Sequence, residues 1–309
     1  MISKVIFLIP QLIILFIFYT SGQNKDNFPE HWLPQNINDN TTEVIEHTFY
    51  TIGYNEIHEQ SAWVAYELTK EELYKVADRK NNFRADNTVS TKSAELVDYK
   101  GTGYDRGHLA PAADMSFSEQ AMSESFYLSN MSPQEPEFNR GIWKNLEEQI
   151  RYWTYDKQNL YIITGPVLED NLKTIGPNEI SVPDYYYKIA LYADTLNNTY
   201  SAIAFLLPNK KGEYPLSHYI VSVDSIENLT QMNFFSGISL SIQESFESNV
   251  YLSDWEFYAK KQQVKSNKKQ VLDVNDNVCR GNTKSGNRCK RKTNDPSGYC
   301  WQHISQKND

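Results

Sequence analysis

Residues 105–115 concentrate the side chains that could carry chemistry. They read Asp-Arg-Gly-His-Leu-Ala-Pro-Ala-Ala-Asp-Met, so an imidazole, a guanidinium and two carboxylates lie within eleven residues. Gly107 permits a sharp backbone bend just before His108, and Pro111 interrupts any regular element. A lone histidine is more often a solvated surface residue, but the polar neighbours here favour a functional role. We therefore expect a constrained loop that presents His108.

Two segments downstream extend this pattern. Residues 126–134 read FYLSNMSPQ, and residues 138–147 read FNRGIWKNLE. Together with Asp105–His108, these segments resemble the signature of the DNA/RNA non-specific endonucleases, a branch of the ββα-metal superfamily that includes endonuclease G. The order of the segments and the N-x-x-x-W-x-x-L-E spacing make the resemblance specific. A weaker similarity runs from about residue 48 to about residue 256.

The resemblance implies an α+β protein with the ββα-metal nuclease fold, in which helices flank a mixed, mainly antiparallel central sheet. Local patterns agree with this fold class. Apolar and polar residues alternate at period two over residues 48–54 and 62–68, which predicts two strands. Apolar residues recur at helical period over residues 141–156, which predicts a helix there. Further elements are predicted as strands at 160–167, 186–192, 200–207 and 219–223, and as a helix at 224–235.

The resemblance also implies roles for individual side chains. His108 would be the general base that activates water, because a neutral imidazole can accept a proton near neutral pH. Asn139 would bind Mg²⁺, or another divalent ion such as Mn²⁺, through its side-chain oxygen. Asn139, Trp143, Glu147 and Arg151 fall four apart and would follow one side of the predicted helix. Glu147 would hold water molecules of the metal, with an ion pair to Arg151 on a solvated face as the alternative.

Two arginines and a second asparagine belong to the same predicted catalytic set. Arg106 and Arg151 would contact phosphate or offset its charge in the transition state. A local ion pair with Asp105 is the alternative for Arg106. Asn130 would orient His108 or the backbone of the site.

An upstream arginine is expected to bind substrate, because related nucleases carry a phosphate-binding arginine in this part of the chain. Arg79 and Arg84 are equal candidates, and a solvated loop position is the alternative for each. Asp105 and Asp114 are expected to be structural hydrogen-bond acceptors rather than catalysts.

The function implied by the resemblance is cleavage of DNA and RNA, with 5′-phosphate products. A site that grips phosphate and metal accepts many base sequences. The alternative is a catalytically silent nucleic-acid-binding or surface protein that keeps the fold. The presence of His108, Asn139 and Glu147 argues against that alternative, because a silent copy need not retain all three. The sequence leaves open whether the chain is a monomer or a homodimer.

The charge distribution is uneven. The 309-residue chain has a formal net charge of −9, which argues mildly against nucleic acid as a partner. Residues 259–309 hold 12 Lys and Arg against 4 Asp and Glu, a net charge of +8, which leaves −17 for the remainder. An acidic catalytic domain with a basic tail is therefore expected, and a locally positive cleft in that domain remains compatible with these totals.

The first 46 residues are predicted to lie outside the catalytic domain. Residues 1–22 have the pattern of a secretory signal peptide, with Lys4, an apolar run over residues 5–18 and small residues after it. An uncleaved membrane anchor is the alternative, although the run is shorter than the ~20 residues that span a bilayer. The mature chain is expected to be exported, either to the periplasm or outside the cell, without a stable membrane span. Residues 23–46 are polar and are predicted to be a flexible lead-in to a nuclease domain at 47–259.

The C-terminal segment differs from the rest of the chain. Residues 260–276 read as a charged linker, and residues 277–309 contain all three cysteines, Cys279, Cys289 and Cys300, followed by His303. So short a module needs a metal or a crosslink to fold, and these side chains suit a structural, zinc-knuckle-like Zn²⁺ site. A disulfide with one free thiol is the alternative. The basic residues around the cysteines favour nucleic-acid tethering and a solvated charge run equally.

Overall fold

The computed structural model describes residues 28–36, 42–258, 279–283, 287, 289–293, 298–300, 302–303 and 305–306. These residues form two compact units, one within residues 1–258 and the other within residues 259–309. The predicted signal peptide at 1–22 and the predicted linker at 260–276 lie outside the described residues. Every described helix is too short or too polar to cross a membrane.

The first unit contains the following regular elements. Its strands are β1 Gln35–Asn36, β2 Thr42–Glu46, β3 Thr51–Asn55, β4 Gln60–Thr69, β5 Asp105–His108, β6 Met131–Gln134, β7 Asn159–Pro166, β8 Thr174–Ile175, β9 Ile180–Ser181, β10 Tyr185–Asp194, β11 Thr199–Pro208, β12 Ile220–Val221 and β13 Met232–Asn233. Its α-helices are α1 Leu96–Tyr99, α2 Glu119–Glu124, α3 Lys144–Lys157, α4 Val223–Thr230 and α5 Leu240–Glu247. Single turns of 3-10 helix lie at Glu30–Trp32, Glu71–Leu73, Leu128–Asn130, Leu216–Tyr219 and Leu252–Asp254, and a π-helical turn lies at Phe138–Trp143.

A seven-stranded sheet forms the centre of this unit. Its strand order is β12-β11-β10-β7-β4-β3-β2, and each of these pairings is antiparallel. The long strands β4, β7, β10 and β11 pair in the middle of the sheet and give it a rigid frame. The predicted α+β class, with helices flanking a mainly antiparallel sheet, is confirmed.

Each face of the sheet is covered by its own core. Successive side chains of a strand point to opposite faces, so Trp63 and Tyr66 of β4 enter different cores. Tyr66 packs in the core that includes Ile150 of α3. Trp63 packs in the core that includes Ile226 of α4 and Phe246 of α5. The helix α3 and the helix pair α4–α5 therefore lie on opposite faces.

The prediction that residues 23–46 form a flexible lead-in is wrong where the structure describes them. Phe28 and Trp32 are 6% and 5% exposed, and their rings contact Tyr161 edge-on with centroid distances of 5.8 and 4.9 Å. Residues 42–46 form the edge strand β2, which pairs with β3 and buries Ile45. The segment is mostly polar, but its few large apolar side chains, Phe28, Trp32 and Ile45, are buried and pack it against the domain.

The predicted helix at 141–156 is present, but it begins later than its apolar pattern suggests. The helix α3 starts at Lys144, and Gly141 has non-helical backbone angles of φ −107° and ψ −108°. Leu146, Ile150 and Trp153 are buried as the periodic pattern predicts. Asn139 lies before the irregular glycine, in the π-helical turn. The prediction that Asn139 and Glu147 share one side of a continuous helix is therefore wrong.

Candidate functional site

The segment Asp105–His108 is a strand of a two-stranded sheet rather than the predicted loop. It pairs antiparallel with Met131–Gln134, with His108 opposite Met131. Gly107 is required by a close approach and not by a sharp bend. A Cβ atom at this position would lie 2.1 Å from Oε1 of Gln134, whose side chain covers the glycine. The two motif segments of the sequence thus support each other through backbone pairing.

His108 lies in an aromatic pocket and is 8% exposed. The ring of Phe126 stands edge-on to the imidazole at a centroid distance of 4.9 Å, and Phe83 lies at 5.8 Å. Among the described residues, Nε2 of His108 has no hydrogen-bond partner. Burial, followed by the positive charges of Arg79 and Arg106, lowers the pKa of His108 to about 3. The imidazole is therefore neutral near neutral pH and presents an unpartnered ring nitrogen.

Asn130 fixes the backbone just beyond His108. Its Oδ1 accepts a hydrogen bond from the Ala110 N–H at 2.9 Å, and its Nδ2 donates to the Ala110 carbonyl at 2.9 Å. The same Nδ2 donates to the Ser125 carbonyl at 2.8 Å, and the side chain is fully buried. Asn130 therefore fixes the backbone two residues after His108.

Asp105 connects the first motif segment to the metal-ligand candidate. Its Oδ2 accepts a hydrogen bond from Nδ2 of Asn139 at 2.8 Å. Arg140 also binds this carboxylate, through Nε at 2.8 Å and Nη2 at 2.5 Å. The alternative pairing of Arg106 with Asp105 is not formed, because the Arg106 guanidinium lies 4.1 Å above the ring of Phe83. Since the amide nitrogen of Asn139 is used by Asp105, its carbonyl oxygen is the atom left for a cation.

Arg151 is held in place by a buried carboxylate. Its Nη1 lies 2.6 Å from Oδ1 of Asp114, and Oδ2 of Asp114 accepts a hydrogen bond from the Tyr66 hydroxyl at 2.8 Å. Asp114 therefore has the structural role predicted for it. Glu147 is half-buried one helical turn before Arg151. Because Glu147 is half-buried, it does not lie on the solvated face that the alternative required. This burial is the largest influence on its carboxyl group and raises the pKa of Glu147 to about 7.

Lys188 belongs to this site and was missed by the sequence reasoning. It lies on the central strand β10 and is 1% exposed. Its Nζ donates to the carbonyl of Leu109, the residue after His108, at 3.3 Å and lies 4.8 Å from the ring of Trp143. Burial lowers the pKa of Lys188, and the charge of Glu147 opposes that shift. A lysine inside the apolar run Tyr185–Asp194 was the signal that could have found it.

The two upstream arginines occupy different places. Arg79 lies near enough to His108 and Glu147 for its charge to act on both pKa values, and its guanidinium lies 4.9 Å from the ring of Phe126. Arg84 instead donates to the Ser123 carbonyl at 2.8 Å. Its guanidinium lies 3.9 Å from the centre of the Tyr127 ring, and the same two residues form an isolated backbone bridge. The structure thus separates two residues that the sequence left equal.

The cysteines and the histidine of the second unit converge. One ligand atom from each of Cys279, Cys289, Cys300 and His303 lies within 4.8 Å of all the others. The Cys289 and Cys300 sulfurs are 4.0 Å apart, and Nδ1 of His303 lies 3.5 Å from Cys279 Sγ and 3.3 Å from Cys300 Sγ. A tetrahedral ion with ~2.3 Å Zn–S bonds separates its sulfurs by roughly 3.8 Å, whereas a disulfide needs about 2.05 Å. The three described sulfurs form no disulfide with one another, so the donor set fits Zn²⁺.

The N–H groups of Gly281 and Cys300 donate to the Cys279 sulfur at 3.3 and 3.1 Å. Hydrogen bonds of this kind stabilise thiolate ligands around a metal. This arrangement fits a structural site, because four protein ligands leave no open position for water.

Comparison with known proteins connects both units to families. A family model described as DNA/RNA non-specific endonuclease matches residues 31–241. A second model, described as a domain of unknown function (DUF5763), matches residues 276–309. The family resemblance predicted from the three motif segments is confirmed.

Individual relatives agree with the family model. Mitochondrial endonuclease G of Homo sapiens is 33% identical over 203 residues, which cover 61% of this chain and 68% of that protein. A nuclease of Nostoc sp. is 34% identical over 211 residues, which cover 65% of this chain and 76% of that protein. A chain in a crystal structure of an EndoG/EndoGI complex superposes with a TM-score of 0.59 at 31% identity, over 63% of this chain and 86% of that one. This chain therefore belongs to the DNA/RNA non-specific endonuclease family and is an endonuclease.

Proposed function

We propose that this endonuclease hydrolyses phosphodiester bonds in both DNA and RNA with the help of a divalent cation. The observation that carries the proposal is the state of His108, which is buried, neutral and left with an unpartnered Nε2. A neutral ring nitrogen with no hydrogen-bond partner is free to accept a proton. The matched family supplies the substrate class.

In the proposed reaction, Nε2 of His108 takes a proton from a water molecule while the water oxygen attacks phosphorus. A new bond from phosphorus to the water oxygen forms, and the bond from phosphorus to the 3′ oxygen breaks. The departing 3′ oxygen takes a proton from solvent. The products are a 3′-hydroxyl end and a 5′-phosphate end.

Asn139 is the proposed direct ligand for Mg²⁺ or Mn²⁺, through its carbonyl oxygen. The hydrogen bond from its amide nitrogen to Asp105 supports this orientation. When bound, the cation supplies positive charge that neutralises the phosphate and the leaving oxygen. Glu147 is proposed to accept hydrogen bonds from the water shell of the cation.

The arginines would share the neutralisation of the substrate. Arg79 and Arg106 act electrostatically on His108, which supports a position for both near the scissile phosphate. Arg151 is anchored by Asp114, so it would offset charge near Glu147 from a fixed position. Arg84 is bound to backbone and is assigned a structural role in place of substrate binding.

The metal role is tested by plasmid cleavage over a range of Mg²⁺ concentrations. Asn139→Ala should raise the Mg²⁺ concentration for half-maximal rate by at least ~10-fold, while Asn249→Ala, an exposed asparagine, should leave it unchanged. Digestion of an end-labelled oligonucleotide should give fragments that a ligase joins without prior phosphorylation. An unaltered Mg²⁺ dependence in Asn139→Ala would remove this residue from the metal site. A folded chain without cleavage under every condition would support the silent binding protein.

For the second unit we propose a structural zinc site formed by Cys279, Cys289, Cys300 and His303. The separations of their sulfur and nitrogen atoms support it. Elemental analysis should find about one zinc per chain, lost in Cys289→Ser and retained in Ser305→Ala. Plasmid cleavage should be the same in all three proteins. Zinc retained in Cys289→Ser would rule out this ligand set.

We also propose nucleic acid as the partner of this unit, because basic residues surround the cysteines in the sequence.

We propose that the chain is exported after removal of residues 1–22. The charged start and the apolar run that follows support this proposal. The name of human endonuclease G places that protein in mitochondria. If this chain is exported, its cellular location differs from that of the human protein. Mass spectrometry of the protein from periplasmic and culture fractions should find an N-terminus near residue 23. A full-length chain retained inside the cell would contradict export.

A further inference from the structure

Three carboxylates cluster on the face of the sheet opposite α3. Asp224 and Glu227 lie three residues apart on α4 and share one side of that helix. Glu247 is the last residue of α5. One carboxylate oxygen from each residue lies within 4.8 Å of those of the other two. Exposed acidic residues often gather without a ligand, so the burial of these groups decides whether the cluster can bind one.

Glu247 is the buried member of the cluster. It is 6% exposed, and its buried Oε1 has no hydrogen-bond partner among the described residues. A buried acceptor without a partner is costly, and a negative charge in the last turn of a helix is disfavoured by the helix dipole. By contrast, Glu227 accepts a hydrogen bond from the Phe234 N–H at 2.8 Å. A ligand that is positively charged or that donates a hydrogen bond would therefore stabilise Oε1 of Glu247.

No lysine or arginine among the described residues forms an ion pair with Asp224, Glu227 or Glu247. Burial, followed by the charges of Glu227 and Asp224, raises the pKa of Glu247 to about 8. Burial likewise raises the pKa values of the other two carboxyl groups. The chain thus brings three acidic groups together without supplying a described cationic side chain to balance them.

The cluster opens into a depression of about 370 Å³ at the surface. Asn228, Gln231, Gln243 and Glu244 line it together with Glu227 and Glu247. A small ion can enter this space, and its remaining coordination positions can be filled by water or by side-chain oxygens of the rim.

We propose that Asp224, Glu227 and Glu247 bind one divalent cation of the calcium class and that this cation ties α4 to α5. Calcium takes carboxylate oxygens at ~2.3–2.6 Å, so one ion can reach oxygens up to roughly 4.8 Å apart. Magnesium requires shorter metal–oxygen distances and retains its water molecules, so we expect it to bind this site more weakly than calcium. The bound ion satisfies Oε1 of Glu247 and stabilises the α4–α5 face without a part in phosphodiester cleavage.

Thermal unfolding of the full chain with CaCl₂ or with EDTA tests this site. In the wild-type chain, Ca²⁺ at about 100 times its Kd should raise the Tm by roughly 5–10 °C. Glu247→Gln preserves size and removes the buried charge, so most of this rise should disappear. Glu244→Gln is the matched control, because it makes the same change at an exposed position of the same helix and the same depression. Any ion bound on the α3 face contributes equally to all three proteins.

Isothermal titration calorimetry gives the second readout. The Kd for Ca²⁺ should rise at least ~10-fold in Glu247→Gln and stay unchanged in Glu244→Gln, and Mg²⁺ should bind the wild-type site more weakly than Ca²⁺. If Glu247→Gln fails to fold, Asp224→Asn replaces it, because Asp224 is partly exposed. Equal Ca²⁺-dependent stabilisation of the wild type and the Glu247 or Asp224 variant would overturn the proposal. The carboxylates would then share a proton instead of a cation.

Discussion

Acid should destabilise this fold through His108, because the buried ring resists protonation. Burial, then the charges of Arg79 and Arg106, lower the pKa of His108 to about 3 in the folded chain. In the unfolded chain the same ring titrates near ~6.5. Below that pH the unfolded state takes up a proton that the folded state does not bind. The contribution of His108 to stability is therefore fully present above about pH 6.5 and is lost as the pH falls towards 3.

The two pKa values set the size of the effect. Relative to pH 8, His108 should lower the free energy of unfolding by about 2 kcal/mol at pH 5 and by about 3 kcal/mol at pH 4. Other groups also titrate in this range. Asp86 is one example. Burial acts to raise the pKa of Asp86, but its hydrogen bonds, of which that from His47 is the strongest, outweigh burial and lower the pKa to about 2. Such groups are unchanged by substitution of His108, so a comparison with His108→Gln isolates the ring.

The assay is urea unfolding followed by tryptophan fluorescence at pH 8, 5 and 4, with EDTA present to remove bound cations. Between pH 8 and pH 5 the wild-type chain should lose about 2 kcal/mol more stability than His108→Gln. If the two proteins lose stability in parallel, to within about 0.5 kcal/mol, the ring titrates normally in the folded chain. The account of His108 as a ring whose burial lowers its pKa in the folded chain would then be refuted.

Three other substitutions separate positioning from substrate binding. Asn130→Ala should cost about 1–3 kcal/mol of stability, because the buried backbone groups of Ala110 lose their partners, and it should lower kcat with little change in KM. Urea unfolding and steady-state kinetics check this, and unaltered kcat would show that the backbone holds its position unaided. Arg79→Ala should reduce kcat/KM at least ~10-fold with an unchanged Tm, whereas Arg84→Ala should lower the Tm and leave kcat/KM within about twofold. The reverse pattern would assign substrate binding to Arg84.

The chemistry of the site was the part most accessible from the sequence, since motif spacing carries it. His108, Asn130 and Asn139 lie in segments whose order identifies the family. The conformation of those segments was less accessible. The glycine and proline at 107 and 111 indicated a loop, but Asp105–His108 is extended and paired with Met131–Gln134. Strand pairing over a separation of some 25 residues is a tertiary effect that local propensity does not register.

Element ends were predicted less well than elements, for identifiable reasons. The helix predicted at 224–235 ends at Thr230, because Gln231 adopts a left-handed conformation with φ 57° and the chain then forms β13. The π-helical turn before α3 likewise interrupts a pattern that the apolar residues alone would continue. Such interruptions arise from packing, and a periodic sequence pattern contains no sign of them.

The neighbours of buried charged groups were the feature that sequence reasoning could not locate. The apolar run around Lys188 signals that this lysine is buried, but only the sheet order places it beneath the Leu109 carbonyl and within reach of Glu147. The same holds for Glu247, whose carboxylate meets those of Asp224 and Glu227 through the packing of α4 against α5. Contacts between distant segments decide which charged side chains meet, so these neighbours emerge only from the folded chain.

Cleavage of plasmid DNA and total RNA by the purified chain tests the central claim most directly. The reactions contain Mg²⁺ or EDTA, and the wild type is compared with His108→Ala and with His31→Ala, an exposed histidine that serves as the control. We predict that the wild type and the control degrade both nucleic acids with Mg²⁺ and neither with EDTA, and that His108→Ala is slower by about 10²–10⁴-fold. Cleavage by a folded His108→Ala protein at the wild-type rate would contradict the account, because another group would then activate the water.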